Sequence, residues 1–254
     1  MAHQQQQEFI KTVLSEMCFT GPLDVLDFGS LDINGGVRQL ISADWKYTGI
    51  DLEIGPNVDI ACPAQLVDLK SEQFDICFSS ELFEHTPFWK EIFAQMCRLT
   101  KPGGVVIFTC AGIGRKEHGT SRSDGGYSSP FTVAMGDEYY RNVGRFEAKN
   151  SIAMNSWFAE FGFYEEYKIH DLYFVGVKKP THPLSYSVNK DLFKILATKY
   201  PEKYWKVQNF GTRILPQLAV EFYLILLYQI ISNVRKHVYK LYIKLGLRRF
   251  RNRA

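Results

Sequence analysis

Two carboxylates and an imidazole lie close together in the chain, at Glu81, Glu84 and His85. Their spacing of three and four residues would place all three side chains on one face if the segment is helical. Such a face can bind a divalent cation, whose charge lowers the pKa of a coordinated hydroxyl group. With His118 as a fourth ligand, the pattern predicts a magnesium or manganese site as one alternative.

The same residues also allow an interpretation without a metal. His85 or His118 could remove a proton from a hydroxyl acceptor as an organic base, or they could be purely structural. In the segment that contains His118, polar groups stand beside flat aromatic surfaces, which would suit a saccharide or another polyhydroxylated acceptor. The candidate acceptor contacts are Arg115, Tyr139 and Tyr140. Tyrosines that only pack down on the domain are the alternative.

A second set of residues has the arrangement expected of a nucleoside site. Asp27 and Gly29 end one apolar run, and Asp51 ends the next. In an open parallel sheet, ligands bind beyond the carboxyl ends of the strands, where glycine admits close backbone approach and a carboxylate accepts ribose hydroxyls. The turn after Phe28 reads GSLDINGG instead of GxGxxG. It therefore lacks the pyrophosphate cradle of nicotinamide and flavin enzymes.

Apolar runs that alternate with helical segments supply the elements that would position these residues. The sequence predicts strands at 23–28, 47–50, 58–61, 74–79, 105–110, 163–169 and 173–177, and helices at 9–17, 37–41, 88–99 and 151–161. Strands and helices at this spacing predict an α/β fold. We expect a Rossmann-like, doubly wound, mostly parallel sheet of seven strands with helices on both faces, and a C-terminal helical extension.

Four segments of the chain resemble the class I S-adenosylmethionine-dependent methyltransferases: LDFGSLDINGG, YTGIDLEIGPNVDI, FDICFSSELFEH and LTKPGGVVIFT. The resemblance covers about residues 23–178, and its GSxDING variant is similar to a subgroup that acts on small molecules or glycans. It implies S-adenosylmethionine as the cofactor, with Asp27 and Gly29 near its methionine part and Asp51 on the ribose. The ExxEH pattern is similar to the metal site of small-RNA 2′-O-methyltransferases and of ubiquinone-pathway O-methyltransferases.

Two departures from the family pattern affect the expected cofactor site. Leu31 replaces the second glycine of the motif, so Asn34 and Gly35 are expected to supply the tight turn. Cys62-Pro63-Ala64 stands where the family usually has an acid that contacts adenine, so contact there would come from backbone and packing. The full set of expected cofactor-binding residues is Asp27, Gly29, Ser30, Asn34, Gly35, Asp51, Leu52, Glu53 and Ser80.

The chain is expected to have three parts. Residues 1–20 form a helix that packs on the domain, residues 21–180 form the methyltransferase domain, and residues 181–254 form a helical, basic extension. Residues 112–150 are too long for a simple connector, so they are interpreted as an insertion or lid.

Charge is distributed unevenly between the body and the C-terminal part. From Ser232 onward there are eight Lys/Arg and no acid, while 22 basic and 27 acidic residues precede it. A basic amphipathic helix there could lie on an anionic membrane surface; partner docking, nucleic-acid binding or packing on the domain are alternatives. The apolar run at 218–231 is shorter than the ~20 residues of a membrane span. Five cysteines without a CxxC pair and a polar N-terminus favour a cytoplasmic protein, with peripheral membrane contact as an alternative.

The expected function is S-adenosylmethionine-dependent O-methylation of a hydroxyl on a saccharide or other small polyhydroxylated acceptor. One alternative is a non-catalytic protein that uses the cofactor fold for binding or as a scaffold. The other is an RNA 2′-O-methyltransferase, which the excess of acid in the body disfavours because phosphate backbones bind basic surfaces.

Overall fold

The computed structural model describes residues 3–18, 21–127, 129–181 and 187–202. Within them the strands are β1 Met17–Cys18, β2 Asp24–Phe28, β3 Lys46–Asp51, β4 Ile60–Ala61, β5 Phe74–Ser80, β6 Thr100–Ala111, β7 Phe158–Glu166, β8 Asp171–Lys178 and β9 Ser187–Val188. The helices are α1 Gln4–Ser15, α2 Trp89–Leu99, α3 Pro130–Met135, α4 Arg145–Lys149, α5 Met154–Trp157 and α6 Leu192–Lys199. Of the helical, basic extension expected at residues 181–254, residues 187–202 contain β9 and α6, and the part from residue 203 onward lies outside the described residues.

A seven-stranded sheet with the order β4-β3-β2-β5-β6-β8-β7 organises the domain. The first five of these strands pair in parallel, and β8 is antiparallel to both of its neighbours. The central strands are almost continuously buried, as parallel strands covered on both faces must be. The predicted α/β, mostly parallel, seven-stranded fold is confirmed.

Helices cover both faces of this sheet, as expected. On one face α2 contributes Phe93 and Met96 to a cluster that contains Leu26 and Phe28 of β2. On the other face α1 and α6 pack in a cluster that contains Val25 of β2. Alternate side chains of a strand point to opposite faces, so one strand supplies both cores.

Two predicted helices are replaced by other structure. The 37–41 segment forms one 3₁₀ turn, Val37–Leu40. The 151–161 segment is helical only as α5, and β7 begins immediately at Phe158. The reason is tertiary: β7 pairs along its length with β8, and Phe163 lies 4.8 Å from Phe174 between ring centroids. Packing against a neighbouring strand overrides the local helical pattern.

The segment between β6 and α5 contains the expected insertion. Its described residues form the short helices α3 and α4 joined by turns. Across the described part of the chain, no helix has the length and apolar character that crossing a membrane requires.

Candidate functional site

A cavity of about 320 Å³ lies at the carboxyl edge of the sheet, where β2, β3 and β5 end side by side. This is the place where open parallel sheets bind ligands. Of the expected cofactor residues it is lined by Asp27, Gly29, Ser30, Asn34, Gly35, Asp51, Leu52 and Ser80. The parallel register of the three strands is what brings these residues together from separate parts of the sequence.

Glycine is required at two positions of the turn after β2. Gly29 has a left-handed φ of 77°, and its amide donates to the carbonyl of Ile50 at 2.8 Å. Gly35 also has a left-handed φ, 94°, and its amide donates to Asp32 Oδ1 at 2.7 Å. Side chains other than glycine rarely adopt this conformation. The tight turn expected at Asn34-Gly35 is therefore present in the backbone.

Asp51, at the end of β3, is fixed by backbone amides. Its Oδ2 accepts from the amide of Leu31 at 3.0 Å, and its Oδ1 accepts from the amide of Leu52 at 2.8 Å. Burial raises the pKa of this carboxyl, although the two amide hydrogen bonds oppose the rise. Each oxygen keeps a lone pair, so the group can still accept ribose hydroxyls.

Asp27 is buried one strand away. Its Oδ2 accepts from the hydroxyl of Tyr47 at 2.7 Å, while its Oδ1 has no hydrogen-bond partner among the described residues. Burial raises the pKa of Asp27 to about 7, the Tyr47 hydrogen bond opposes the rise, and the charge of Asp51 adds to it. A cation in the cavity would favour the ionised form of both carboxyls.

Several buried polar atoms around this cavity lack partners within the described residues. They are Asp27 Oδ1, Ser30 Oγ, Ser80 Oγ, both Glu81 carboxylate oxygens and both ring nitrogens of His85. Buried polar groups without partners are rare, so a group of them around one cavity indicates a polar ligand. A nucleoside that carries an amino acid and a sulfonium offers donors, acceptors and positive charge, and it fits this wall.

The segment after β4 also lines the cavity. Cys62, Pro63 and Ala64 do so together with Leu52, and contact with adenine there through backbone and packing stays a prediction. Glu53, also expected at the cofactor, is exposed and is not among the lining residues.

Glu84, His85 and His118 form a compact cluster behind the cavity. Their ligating atoms all lie within 4.8 Å of one another. His118 Nε2 is 3.6 Å and His85 Nε2 is 4.0 Å from Glu84 Oε1. Only His85 lines the cavity. The 3₁₀ turn Phe83–His85 and the insertion bring these groups together.

The electrostatics of this cluster separate its two histidines. Burial lowers the pKa of His85, with the charge of Glu84 opposing. For His118 burial also acts downward, but the adjacent Glu84 carboxylate outweighs it and raises the pKa. Burial alone would raise the pKa of Glu84, yet the two imidazoles outweigh it and hold that pKa below its usual value. These directions favour the ionised form of the Glu84–His118 pair and the neutral form of His85.

Glu81 lies apart from the metal set in which the sequence placed it. The segment is not one helix: Glu81 has a left-handed φ of 54°, and the 3₁₀ turn begins only at Phe83. Glu81 lines the cavity and belongs instead to a cluster with His3 and Asp171.

The expected acceptor residues lie outside the cavity lining. Arg115 donates to Asp171 Oδ1 at 2.8 Å, and Tyr140 donates from its hydroxyl to the carbonyl of Lys116 at 3.0 Å. The Tyr140 ring also lies against His85 and His118, with centroids 5.6 and 5.1 Å away. Tyr139 is half-buried.

The lining residues that sequence reasoning missed include two groups, one in α1 and one around α3. One is Gln6 of α1, and the other is residues 129–132 with Met135 and Asp137, around α3. The insertion also reaches the glycine turn, since the Tyr127 hydroxyl donates to Asn34 Oδ1 at 3.3 Å. The helix itself was predicted from its apolar spacing, and an H-x-x-Q pattern at His3 and Gln6, which forms a capping box, was the available signal for its polar start.

Known proteins resemble this chain over part of its length. A family sequence profile described as "Methyltransferase domain" matches residues 31–108. No curated protein sequence matches the chain. Among solved structures, a phosphoethanolamine N-methyltransferase 2 of Haemonchus contortus is 16% identical with a TM-score of 0.48, over 68% of this chain and 52% of that one. This chain thus spans about half the length of that protein.

A second solved structure is the 1,6-didemethyltoxoflavin-N1-methyltransferase of Burkholderia thailandensis. It is 16% identical with a TM-score of 0.47, over 69% of this chain and 77% of that one. The profile match covers the segment from the glycine turn to β6, which includes Asp51 and the Glu84-His85 pair. Over residues 31–108 this chain is therefore similar to the methyltransferase domain family.

Proposed function

We propose that this protein transfers a methyl group from S-adenosylmethionine to a hydroxyl of a small, uncharged polyhydroxylated acceptor such as a saccharide. The observation that carries the proposal is His85, which lines the same cavity as Asp51 and Gly29 and has no hydrogen-bond partner on either ring nitrogen within the described residues. S-adenosylmethionine, when bound, supplies an electrophilic methyl group on a sulfonium. Asp51 would hold its ribose and the Gly29 turn its methionine part.

His85 is the candidate base for the acceptor. A neutral imidazole at the cavity wall can accept the proton that a hydroxyl must lose. Glu84, 4.0 Å away, would stabilise the imidazolium that results. His118 would hold Glu84 ionised and in place. The remaining contribution is positioning, for which we assign residues 112–150 as a lid over the cavity.

The charge of the cavity wall supports an uncharged acceptor. Asp27, Asp51, Glu81 and Asp137 line it, and no Lys or Arg is found among its described lining residues. Anions are repelled by such a wall, so phosphate-bearing acceptors, RNA included, are disfavoured. A cationic sulfonium is favoured by the same charges.

The test is a methyl-transfer assay on matched acceptors, each neutral saccharide beside its phosphorylated form, with wild type and His85→Gln. We expect transfer to a neutral member, and a fall of about 10²-fold or more in His85→Gln. Transfer to RNA or sugar phosphates alone would contradict the proposal. A non-catalytic scaffold would show no S-adenosylmethionine binding in calorimetry, or binding that Asp51→Ala leaves unchanged.

A divalent cation is a second candidate for the same cluster. Glu84, His85 and His118 offer three ligand atoms within 4.8 Å, and both Glu84 oxygens lack hydrogen-bond partners within the described residues. A carboxylate with two imidazoles suits manganese better than magnesium. Activity lost in chelator and restored by manganese would support the metal; full activity in chelator would leave His85 as an organic base.

Peripheral membrane contact is proposed for the basic segment that follows Ser232, on sequence grounds alone. Its eight Lys/Arg without an acid would bind anionic lipid. Co-sedimentation with vesicles that contain phosphatidylserine should fall when those positions are changed to Gln. Equal sedimentation of both proteins would contradict membrane contact.

A further inference from the structure

The strand order places the carboxyl ends of four strands in a row along the cavity. β4, β3, β2 and β5 are consecutive neighbours, so their carboxyl ends form a row with a spacing of about 4.8 Å. Cys62 follows β4, Asp51 ends β3, Gly29 follows β2 and Glu81 follows β5. A ligand that runs along this row from its adenine, through its ribose, has its far end beside Glu81.

Glu81 has the features of a ligand-binding carboxylate. Its side chain is only 1% exposed, it lines the cavity, and neither carboxylate oxygen has a hydrogen-bond partner among the described residues. Its left-handed φ of 54° is strained for a residue with a side chain, and such strain is typical of binding sites. Its amide is fixed by the carbonyl of Thr109 at 2.8 Å.

Gln6 of α1 lies at the same cavity. It is buried, and its Oε1 accepts from the amide of His3 at 3.3 Å. This hydrogen bond engages the side-chain oxygen of Gln6 in the cap of α1, so the oxygen and the nitrogen of that side chain have different roles. Because Gln6 lines the cavity, its side-chain nitrogen can donate to an anionic group of a ligand there.

His3, the N-cap residue of α1, connects this helix with Glu81. Its Nε2 lies 2.9 Å from Asp171 Oδ2 and 3.6 Å from Glu81 Oε2. Arg115 contacts the other oxygen of Asp171 at 2.8 Å, which adds positive charge to this cluster. His3 therefore lies between the two carboxylates and contacts both.

We propose that Glu81 binds the ammonium group and Gln6 the carboxylate of the amino-acid end of S-adenosylmethionine, with His3 as a positioning residue for Glu81. This inference rests on the proposed function, because it requires that cofactor in the cavity. It makes α1 part of the cofactor site, so the site selects ligands that carry an intact amino-acid end.

Calorimetry with two compounds isolates this interaction. S-adenosylhomocysteine and 5′-methylthioadenosine share adenosine and a thioether, but only the first has an amino-acid end. Glu81→Gln and Gln6→Ala should each weaken S-adenosylhomocysteine about tenfold or more, since a charge-assisted hydrogen bond is lost. Methylthioadenosine should change by less than about twofold, which also shows that each variant is folded. Glu160→Gln, at an exposed carboxylate of β7, is the matched control and should change neither.

His3→Ala is expected to weaken S-adenosylhomocysteine in the wild-type background and to have little further effect in Glu81→Gln. If His3 acted only in the packing of α1, His3→Ala would weaken S-adenosylhomocysteine binding by the same factor in both backgrounds. The inference is overturned if the two compounds weaken together or if neither weakens in Glu81→Gln and Gln6→Ala. Wild type that binds neither compound would contradict the proposed function itself.

Discussion

Asp27 carries a stability cost that depends on pH. Burial raises its pKa from 3.8 to about 7, so the folded protein keeps a proton that the unfolded chain releases above pH 4. Stability should therefore fall as pH rises from 4 through 7, by at most roughly 4 kcal/mol at about 1.36 kcal/mol per pKa unit. In urea unfolding without ligand, Asp27→Asn should lose less stability than wild type between pH 5 and pH 8. Parallel curves for the two proteins would show that Asp27 is ionised throughout.

Some of the site residues could be predicted from the sequence and others could not. Asp27, Gly29 and Asp51 could be assigned because parallel strands must end at one edge, whatever the connections between them. His3 could not be placed, because its contact with Asp171 joins distant parts of the chain and leaves no spacing to detect. Glu81 was grouped with Glu84 because a helix would place both side chains on one face. The left-handed backbone at Glu81 shows that the segment is not a single helix.

At the scale of the elements, the insertion packs closely against His85 at Gly119. A Cβ at Gly119 would lie 2.5 Å from His85 Cε1, whereas at Gly125 it would meet nothing within 4 Å. Both have left-handed φ, 68° and 69°, so alanine costs each a similar ~1 kcal/mol of backbone strain. Gly119→Ala should shift the His85 ring resonances in NMR and reduce methyl transfer, and Gly125→Ala should do neither. Equal effects would mean that strain, and not contact with His85, is responsible.

Helix α1 is integral to the core of the domain. Phe9 is fully buried and its ring stacks on Tyr173 of β8 with centroids 4.7 Å apart. Phe9→Ala should reduce the free energy of unfolding by about 3–5 kcal/mol, since it removes a buried aromatic ring and leaves a cavity. Lys11→Ala, on the exposed side of the same helix, should change it by less than about 0.5 kcal/mol. Urea denaturation measures both, and similar small losses would show that α1 packs only loosely.

Most strands could be predicted because continuous apolar runs between turns have few other interpretations. The start of β7 could not, since residues 154–161 carry a pattern that suits a helix until β8 provides a partner. Val37–Leu40 and Ala64–Leu66 form 3₁₀ turns where a doubly wound fold usually has helices.

For the whole molecule, ligand stabilisation should discriminate between nucleotide classes. S-adenosylhomocysteine at about 100 times its Kd should add about 2.7 kcal/mol to the free energy of unfolding. NAD⁺ at the same concentration should add almost nothing, because the turn lacks a pyrophosphate cradle and the cavity wall is acidic. Thermal denaturation tests this, with Asp51→Ala as the variant that should lose the shift. Stabilisation by NAD⁺ of equal size would contradict the assigned cofactor.

The docking of α1 against β8 has a consequence for how the protein is made. Because α1 precedes β8 in the chain, the helix is synthesised before the strand that receives it and before Asp171, which pairs with His3. Helix α1 can therefore dock only after β8 has been synthesised. Contacts between distant parts of a chain form more slowly than local ones. A chain without β8 would contain the glycine turn and Asp51 but not the strand on which α1 packs, so Gln6 would reach the cavity wall only after β8 has been made.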